Sequence, residues 1–215
     1  FNANYQYLVV EGELWAPYEM DGWGNFSADR RMDTLWPEQP RKKAYLLTEI
    51  DGVKYDQWGT QRPTCQKFLP PNISQADYEN FTNGFNWPII RFADVLLIYA
   101  EAANMANGGP TQEACDAINR VIDRANGYAT VAGHPKLTTA MSKEAFDDAV
   151  IMERNWELCF EYDRWFDLCR KRILPQNSPL YIQNFSNDDY LYPIPEDDLR
   201  LNKLLTHNPG YPTPQ

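Results

Sequence analysis

A mostly α-helical fold, with long irregular loops and a few short strands, is what the sequence predicts. Three observations carry that expectation. From Phe92 to Ala106, apolar residues recur at helical spacing: Phe92, Val95, Leu96, Tyr99, Ala102, Ala103 and Ala106. Asn107-Gly108-Gly109-Pro110 then stops and turns the chain, and a second periodic run follows through Ala114, Ile118, Val121, Ile122 and Ala125. Met152 to Arg170 is dense in rings and charges, with Arg154, Glu157, Glu161, Arg164 and Leu168 at alternating steps of three and four.

The segment before residue 86 is loop-rich. Asp21-Gly22, Asp51-Gly52 and Asn83-Gly84 are turn signals between short apolar runs, Tyr7 to Val10 and Ala44 to Ile50 among them. Leu46 to Ile50, Asp-Gly and Val53 to Tyr55 predict a hairpin. Ser74 is placed to cap a short helix reaching Phe81. After Pro88 the first long helix begins, and Thr111 N-caps the second, with Glu113 favourable in its first turn. Helices of about 17 and 16 residues joined by a tight loop form a hairpin the size of one tetratricopeptide unit, a single unit and not by itself a repeat array. A polar connection from Tyr128 to Met141 leads to Ser142, which caps a third helix predicted to run to about Arg172, before Pro175. The tail is irregular, with one helical turn at Glu196 to Leu199. Residues 1–86 thus form a loop-rich aromatic segment and 87–215 a helical region with an irregular tail, expected to share one continuous domain.

Composition narrows the function. The 215 residues carry a formal charge of −10, which argues against nucleic-acid binding. No apolar run approaches the roughly 20 residues needed to cross a bilayer. The chain opens at Phe1 in mid-pattern, which reads as a fragment or a processed product. Cys65, Cys115, Cys159 and Cys169 form no CxxC pair and read as small buried hydrophobes, with a Cys65–Cys115 disulfide as the alternative.

The third helix offers Glu153, Glu157 and Glu161 at four-residue steps. A di-metal site in a helical bundle wants histidines on facing helices. The only two, His134 and His207, lie off the helices, and Arg154 and Arg164 share the carboxylates' stripe. No nucleophile elbow, P-loop or dinucleotide fingerprint is present. No catalytic residue, metal ligand or cofactor is expected; the many carboxylates leave a glycosidase-like acid/base pair open by count, but nothing selects one pair, and scattered surface acids are the commoner case. The charges instead predict a structural ion network of Arg91, Asp94, Glu101, Arg154, Glu157, Glu161 and Arg164, with Arg120 and Arg124 on the second helix as further partners; its role is to fix helix register. Rings on loops have two uses. Packing under irregular segments is the commoner one. The other is a platform for a sugar face. On that second reading the candidate ligand-binding residues are Trp15, Tyr18, Trp23, Trp36 and Trp58, with Asn25, Asp29, Arg30, Asp33 and Gln57 supplying hydrogen bonds.

Trp87-Pro88-Ile89-Ile90-Arg91-Phe92-Ala93-Asp94 through Ala102 resembles the shared helix of the SusD/RagB family. Ala117 to Ala125 resembles its next helix, and Glu153-Arg154, Glu157-Leu158, Glu161, Arg164 and Asp167-Leu168-x-Arg170 its third. Tyr192-Pro193-Ile194-Pro195 and Asn208-Pro209-Gly210-Tyr211 complete the order, while His207 and Asp123 stand where members commonly carry Gln and Arg. The likeness is to the C-terminal portion of proteins about twice this length. It implies a tetratricopeptide-like α-α superhelical scaffold and a surface-exposed outer-membrane lipoprotein, its lipid anchor outside this stretch. Such proteins bind glycans or other nutrients without catalysis and deliver them to a SusC-like TonB-dependent transporter. The alternative role is docking on that transporter while the remainder of the protein binds ligand.

Overall fold

The computed structural model describes residues 27–50, 52–57, 59, 61–67, 86, 88–177 and 185–212. The chain divides into two compact units, Phe1–Phe160 and Glu161–Gln215. The fold class is mostly helical with a few short strands.

In the first unit, α1 (Arg30–Leu35) starts at Asp29, whose side chain accepts from the Arg31 amide. α2 (Pro40–Tyr45) starts with proline at its first position, where the missing N–H costs nothing. The stretch from Leu46 to Ile50 is not one strand. β1 (Leu46–Leu47) pairs antiparallel with β4 (Thr64–Cys65), while β2 (Glu49–Ile50) turns back at Gly52, φ 82°, to pair with β3 (Val53–Lys54). The expected hairpin is therefore present but shorter than its apolar run. The helix expected at 74–81 lies outside the described residues.

Three long helices build the core of this unit. α3 spans Phe92–Asn107, α4 Gln112–Ala125 and α5 Lys143–Glu157. Gly108, at φ 70°, closes α3, and the Gly108 and Gly109 amides both return to the Asn104 carbonyl. Thr111 and Ser142 cap α4 and α5. Buried Asn104 donates to the Lys143 carbonyl at 2.9 Å and so ties α3 to the start of α5. α4 buries Ala114, Ile118, Val121, Ile122 and Ala125, the stripe its spacing predicts. α3 turns a different face inward than its spacing suggests. Ala93, Leu97 and Ala100 are buried, while Phe92, Val95 and Tyr99 are exposed. This helix is apolar nearly all round, so periodicity does not choose a face, and the small side chains of Ala93 and Ala100 admit α4 closely.

The third helix ends well before Arg172. Leu158 to Tyr162 form turns, with Phe160 at φ 64° and Tyr162 at φ 71°, and a separate α6 covers Asp163–Arg170 in the second unit. Left-handed non-glycine residues are costly and need support. It comes from basic side chains that cap the last carbonyls of α5. Lys67 Nζ donates to the carbonyls of Glu157 (2.6 Å) and Cys159 (3.1 Å), and Arg91 Nη2 donates to that of Glu157 (2.9 Å).

The second unit packs Leu168, Leu174 and Tyr190 from α6, α7 (Leu174–Asn177) and a 3-10 turn at Asn187–Tyr190 capped by Ser186. α8 (Glu196–Leu201) follows. Asn208 Nδ2 donates to the Tyr192 carbonyl at 2.7 Å, and Tyr211 Oη to that of Leu191 at 2.8 Å. The two proline motifs of the tail are thus tied to one another. None of the four cysteines is in a disulfide, and burial pushes the Cys159 thiol up to about 12.

Candidate functional site

The chemically distinctive place in the first unit is a buried charge cluster at the end of α5. Residues at 153, 154 and 157 lie within one turn of helix end, so α5 delivers two carboxylates and a guanidinium together. Glu157 is fully buried. It accepts from Arg41 Nη1 at 3.0 Å, Arg91 Nη1 at 2.8 Å, Arg124 Nη2 and the Tyr45 hydroxyl at 3.4 Å. Burial alone would raise its pKa. The charge of Arg41 and the bonds from Arg124 and Arg91 outweigh that and hold the carboxyl down at about 2. Glu153 accepts from Arg41 Nη1 at 2.5 Å and Nη2 at 3.3 Å. Burial again opposes ionisation of Glu153, and Arg41 and His134 reverse the sign, so its pKa is lowered. His134 Nε2 lies 2.7 Å from Glu153 Oε2, and Nδ1 lies 2.7 Å from Asn126 Oδ1. Arg154 Nη1 donates to Asp94 at 2.7 Å, a pair of its own between α5 and α3.

Several residues of the expected network therefore meet: Arg91 with Glu157, and Arg154 with Asp94. Arg124, weighed as a partner on the second helix, joins Glu157. Glu161 and Arg164 lie beyond the end of α5, in the second unit, so they do not continue the Arg154–Glu157 stripe along one helix. Two central members, Arg41 and His134, carry no sequence signal of a role in the cluster. Arg41 comes from a segment read as irregular, where Pro40 was the available sign of a helix start. His134 sits in a connection that is polar in sequence and has no motif context. It is in fact buried, with Trp156 packed edge-on to its ring. Both Glu153 and Glu157 are neutralised by guanidinium groups, which leaves neither placed to exchange protons with a substrate at neutral pH.

Of the candidate ligand platforms, Trp15, Tyr18, Trp23 and Trp58 lie outside the described residues. Trp36 is 2% exposed. Its ring stacks on Trp156 at 6.3 Å, meets Tyr45 edge-on at 6.2 Å and lies 5.7 Å from the Arg41 guanidinium. That ring is a wall of the charge cluster and offers no open face to a sugar. Gln39 completes the wall when its amide oxygen is assigned toward Trp36 Nε1 (2.5 Å) and its nitrogen toward Asn126 Oδ1 (2.8 Å). Asp29 and Asp33 are also engaged, with Arg31 and Lys42 respectively.

Beside the cluster, on the solvent side, a groove of about 480 Å³ opens along α3 and α4. Arg91, Phe92 and Leu96 line one side, and Arg120, Arg124 and Tyr128 the other. The Arg120 guanidinium lies 5.1 Å over the Phe92 ring. Tyr128 is 82% exposed.

A comparison with known families finds that the model of the SusD family matches residues 5–184. The SusD-like protein P2 of Formosa agariphila is 35% identical over 176 residues, covering 79% of this chain and 34% of the relative. The SusD-like protein P38 of the same organism is 30% identical over 157 residues, covering 71% and 29%. Among solved structures, a SusD superfamily protein from Parabacteroides distasonis superposes with a TM-score of 0.68 at 24% identity, over 98% of this chain and 46% of that one. A SusD homolog from Bacteroides thetaiotaomicron gives 0.61, also at 24%, over 80% and 40%. The chain therefore spans about a third of the length of the curated relatives it matches, and less than half of the solved ones.

Proposed function

The chain belongs to the SusD family, and from that premise we propose that it is part of a protein that binds a glycan or another nutrient without catalysis at the bacterial outer surface and passes it to a SusC-like TonB-dependent transporter. The single observation that carries this reading is the family match over residues 5–184. The buried cluster agrees with a scaffold role for the helices, because Glu153 and Glu157 are consumed in holding α2, α3, α4 and α5 together. Surface attachment through a lipid anchor on another part of the protein completes the proposal. Among the described residues no helix is long and apolar enough to cross a membrane.

The test is calorimetry of the full-length protein against a panel of oligosaccharides and peptides. Saturable binding of one class, without turnover, is the expected outcome. Hydrolysis of any panel member by purified protein would overturn the reading. A second reading, docking on the transporter, draws on the exposed apolar residues Ile89, Ile90, Val95, Ile98 and Tyr99 at and along α3. Co-purification with the transporter that is lost in Ile98→Asp but kept after removal of residues 1–26 would favour docking.

A further inference from the structure

We propose that the groove along α3 and α4 binds the anionic substituent of an acidic saccharide, a uronate carboxylate or a sulfate ester, with Arg120 and Arg124 pairing the charge. The proposal rests on the glycan-binding reading and narrows it to a chemical class.

The argument starts from charge. The whole chain is acidic, at −10, yet this groove is lined by Arg91, Arg120 and Arg124 and by one acid, Asp123. Lys136 Nζ donates to Asp123 at 2.8 Å and neutralises that acid. Arg124 spends Nη2 on Glu157, and its side chain remains 51% exposed, so the rest of its planar fork is open to a ligand. Arg120 is one helical turn from Arg124 on α4 and pairs with no carboxylate among the described residues. Its guanidinium rests instead on the Phe92 ring, a surface that orients the charge without consuming it. Glu157 anchors Arg124 from behind, so that side chain is preorganised before any ligand arrives.

The second feature is apolar. Phe92 and Tyr128 present rings that are 61% and 82% exposed in the same groove. Tyr128 stands at φ 60°, and its amide donates to the Asp123 carbonyl at 2.7 Å, just past the end of α4. Aromatic faces beside guanidinium groups match the two sides of an acidic pyranose, an apolar C–H face and a planar or tetrahedral anion. A neutral oligosaccharide would use the rings and leave the arginines unmatched. A simple inorganic anion would do the reverse. The cavity, at about 480 Å³, is within the size range of small-ligand sites.

The experiment titrates the 215-residue chain with three probes: an oligogalacturonate, a sulfated galactan oligosaccharide and a neutral maltohexaose. Arg120→Gln and Tyr128→Ala are measured alongside, each checked by thermal melting for intact folding. The expected result is binding of one or both acidic probes, with affinity lowered about tenfold by Arg120→Gln, the loss of one charge-assisted contact. Raising NaCl from about 50 mM to about 500 mM lowers it further. The two acidic probes separate carboxylate from sulfate recognition. Acidic binding untouched by both substitutions would overturn the groove as the site. Maltohexaose binding as tightly as the acidic probes would overturn the acidic class while leaving the glycan reading intact. No binding of either acidic probe, by this chain or by the full-length protein, would overturn the acidic-groove proposal, whereas the nutrient-binding reading falls only if the wider panel of oligosaccharides and peptides is also silent.

Discussion

Replacing Glu157 by alanine tests the charge cluster most directly. The substitution removes the acceptor shared by Arg41, Arg91, Arg124 and the Tyr45 hydroxyl, at a site with no solvent exposure. Arg41, whose side chain is 3% exposed, keeps only Glu153. Arg91 and Arg124 lose the carboxylate they share. Breaking a buried, hydrogen-bonded ion pair costs about 3–5 kcal/mol, mostly because the surviving charges stay desolvated. For a chain of this length that is a fall in Tm of about 10 °C. Urea unfolding of wild type and variant, followed by tryptophan fluorescence, measures the difference. Glu157→Gln preserves shape and one acceptor but not the charge, and is expected to recover less than half of the loss. A cost under about 1 kcal/mol for Glu157→Ala, the size of an exposed pair, would refute the buried-network argument. In variant protein that remains folded, ligand affinity measured by calorimetry is expected to fall only through the Arg124 contact.

Acid should unfold the protein by a related route. A carboxyl lowered from 4.5 to about 2 contributes its full stabilisation above about 4.5, loses it as pH falls through that window, and contributes none below about 2. The contribution is about 3 kcal/mol, and Glu153 adds to it with the same sign. Chemical denaturation at pH 7, 4 and 2.5 should show this fall, and a Glu157→Gln variant with an equally steep profile would contradict it. Lys67→Met removes the donor to the carbonyls of Glu157 and Cys159, at a cost of about 2 kcal/mol. Hydrogen exchange should then quicken first at residues 158–162. Gly210→Ala places a methyl about 2.7 Å from Asp188 Cβ and Oδ2 at a backbone φ of 82°, so it should destabilise the second unit by about 2 kcal/mol or more. Unchanged melting of that variant would show that the tail rearranges freely.

Local signals made part of this fold legible. α4 could be read because its apolar stripe is narrow and flanked by charges, and because Thr111 and the two glycines before it mark its start. α3 was legible as a helix but not in orientation, since Val95, Leu96, Leu97 and Ile98 are apolar on consecutive positions and only Ala93 and Ala100 reveal which side admits a neighbour. The end of α5 left no trace in its own residues. Nothing between Glu157 and Asp163 is glycine or proline, and the stop is imposed by Lys67 and Arg91 from elsewhere in the chain. The cluster was half legible for the same reason. Charged stripes on helices point to one another, whereas Arg41 reaches Glu153 across 112 positions of sequence. Trp36 is misleading because a ring next to Pro37 in a turn-rich segment reads as surface, yet three other side chains close over it.

A helix whose stop lies in distant residues has a consequence for how the chain folds. Until residues 67 and 91 reach the carbonyl of Glu157, nothing local prevents the helix from running on through Phe160 and Tyr162 into Asp163–Arg170. Early in folding, the spacing of Arg154, Glu157, Glu161 and Arg164 then favours an uninterrupted helix that the native state does not contain. Breaking it is coupled to closing long loops, a slow step for any chain. The last carbonyls of α5 are thus held by contacts of high sequence separation, and the same arginine and lysine that secure the first unit fix where its last long helix stops.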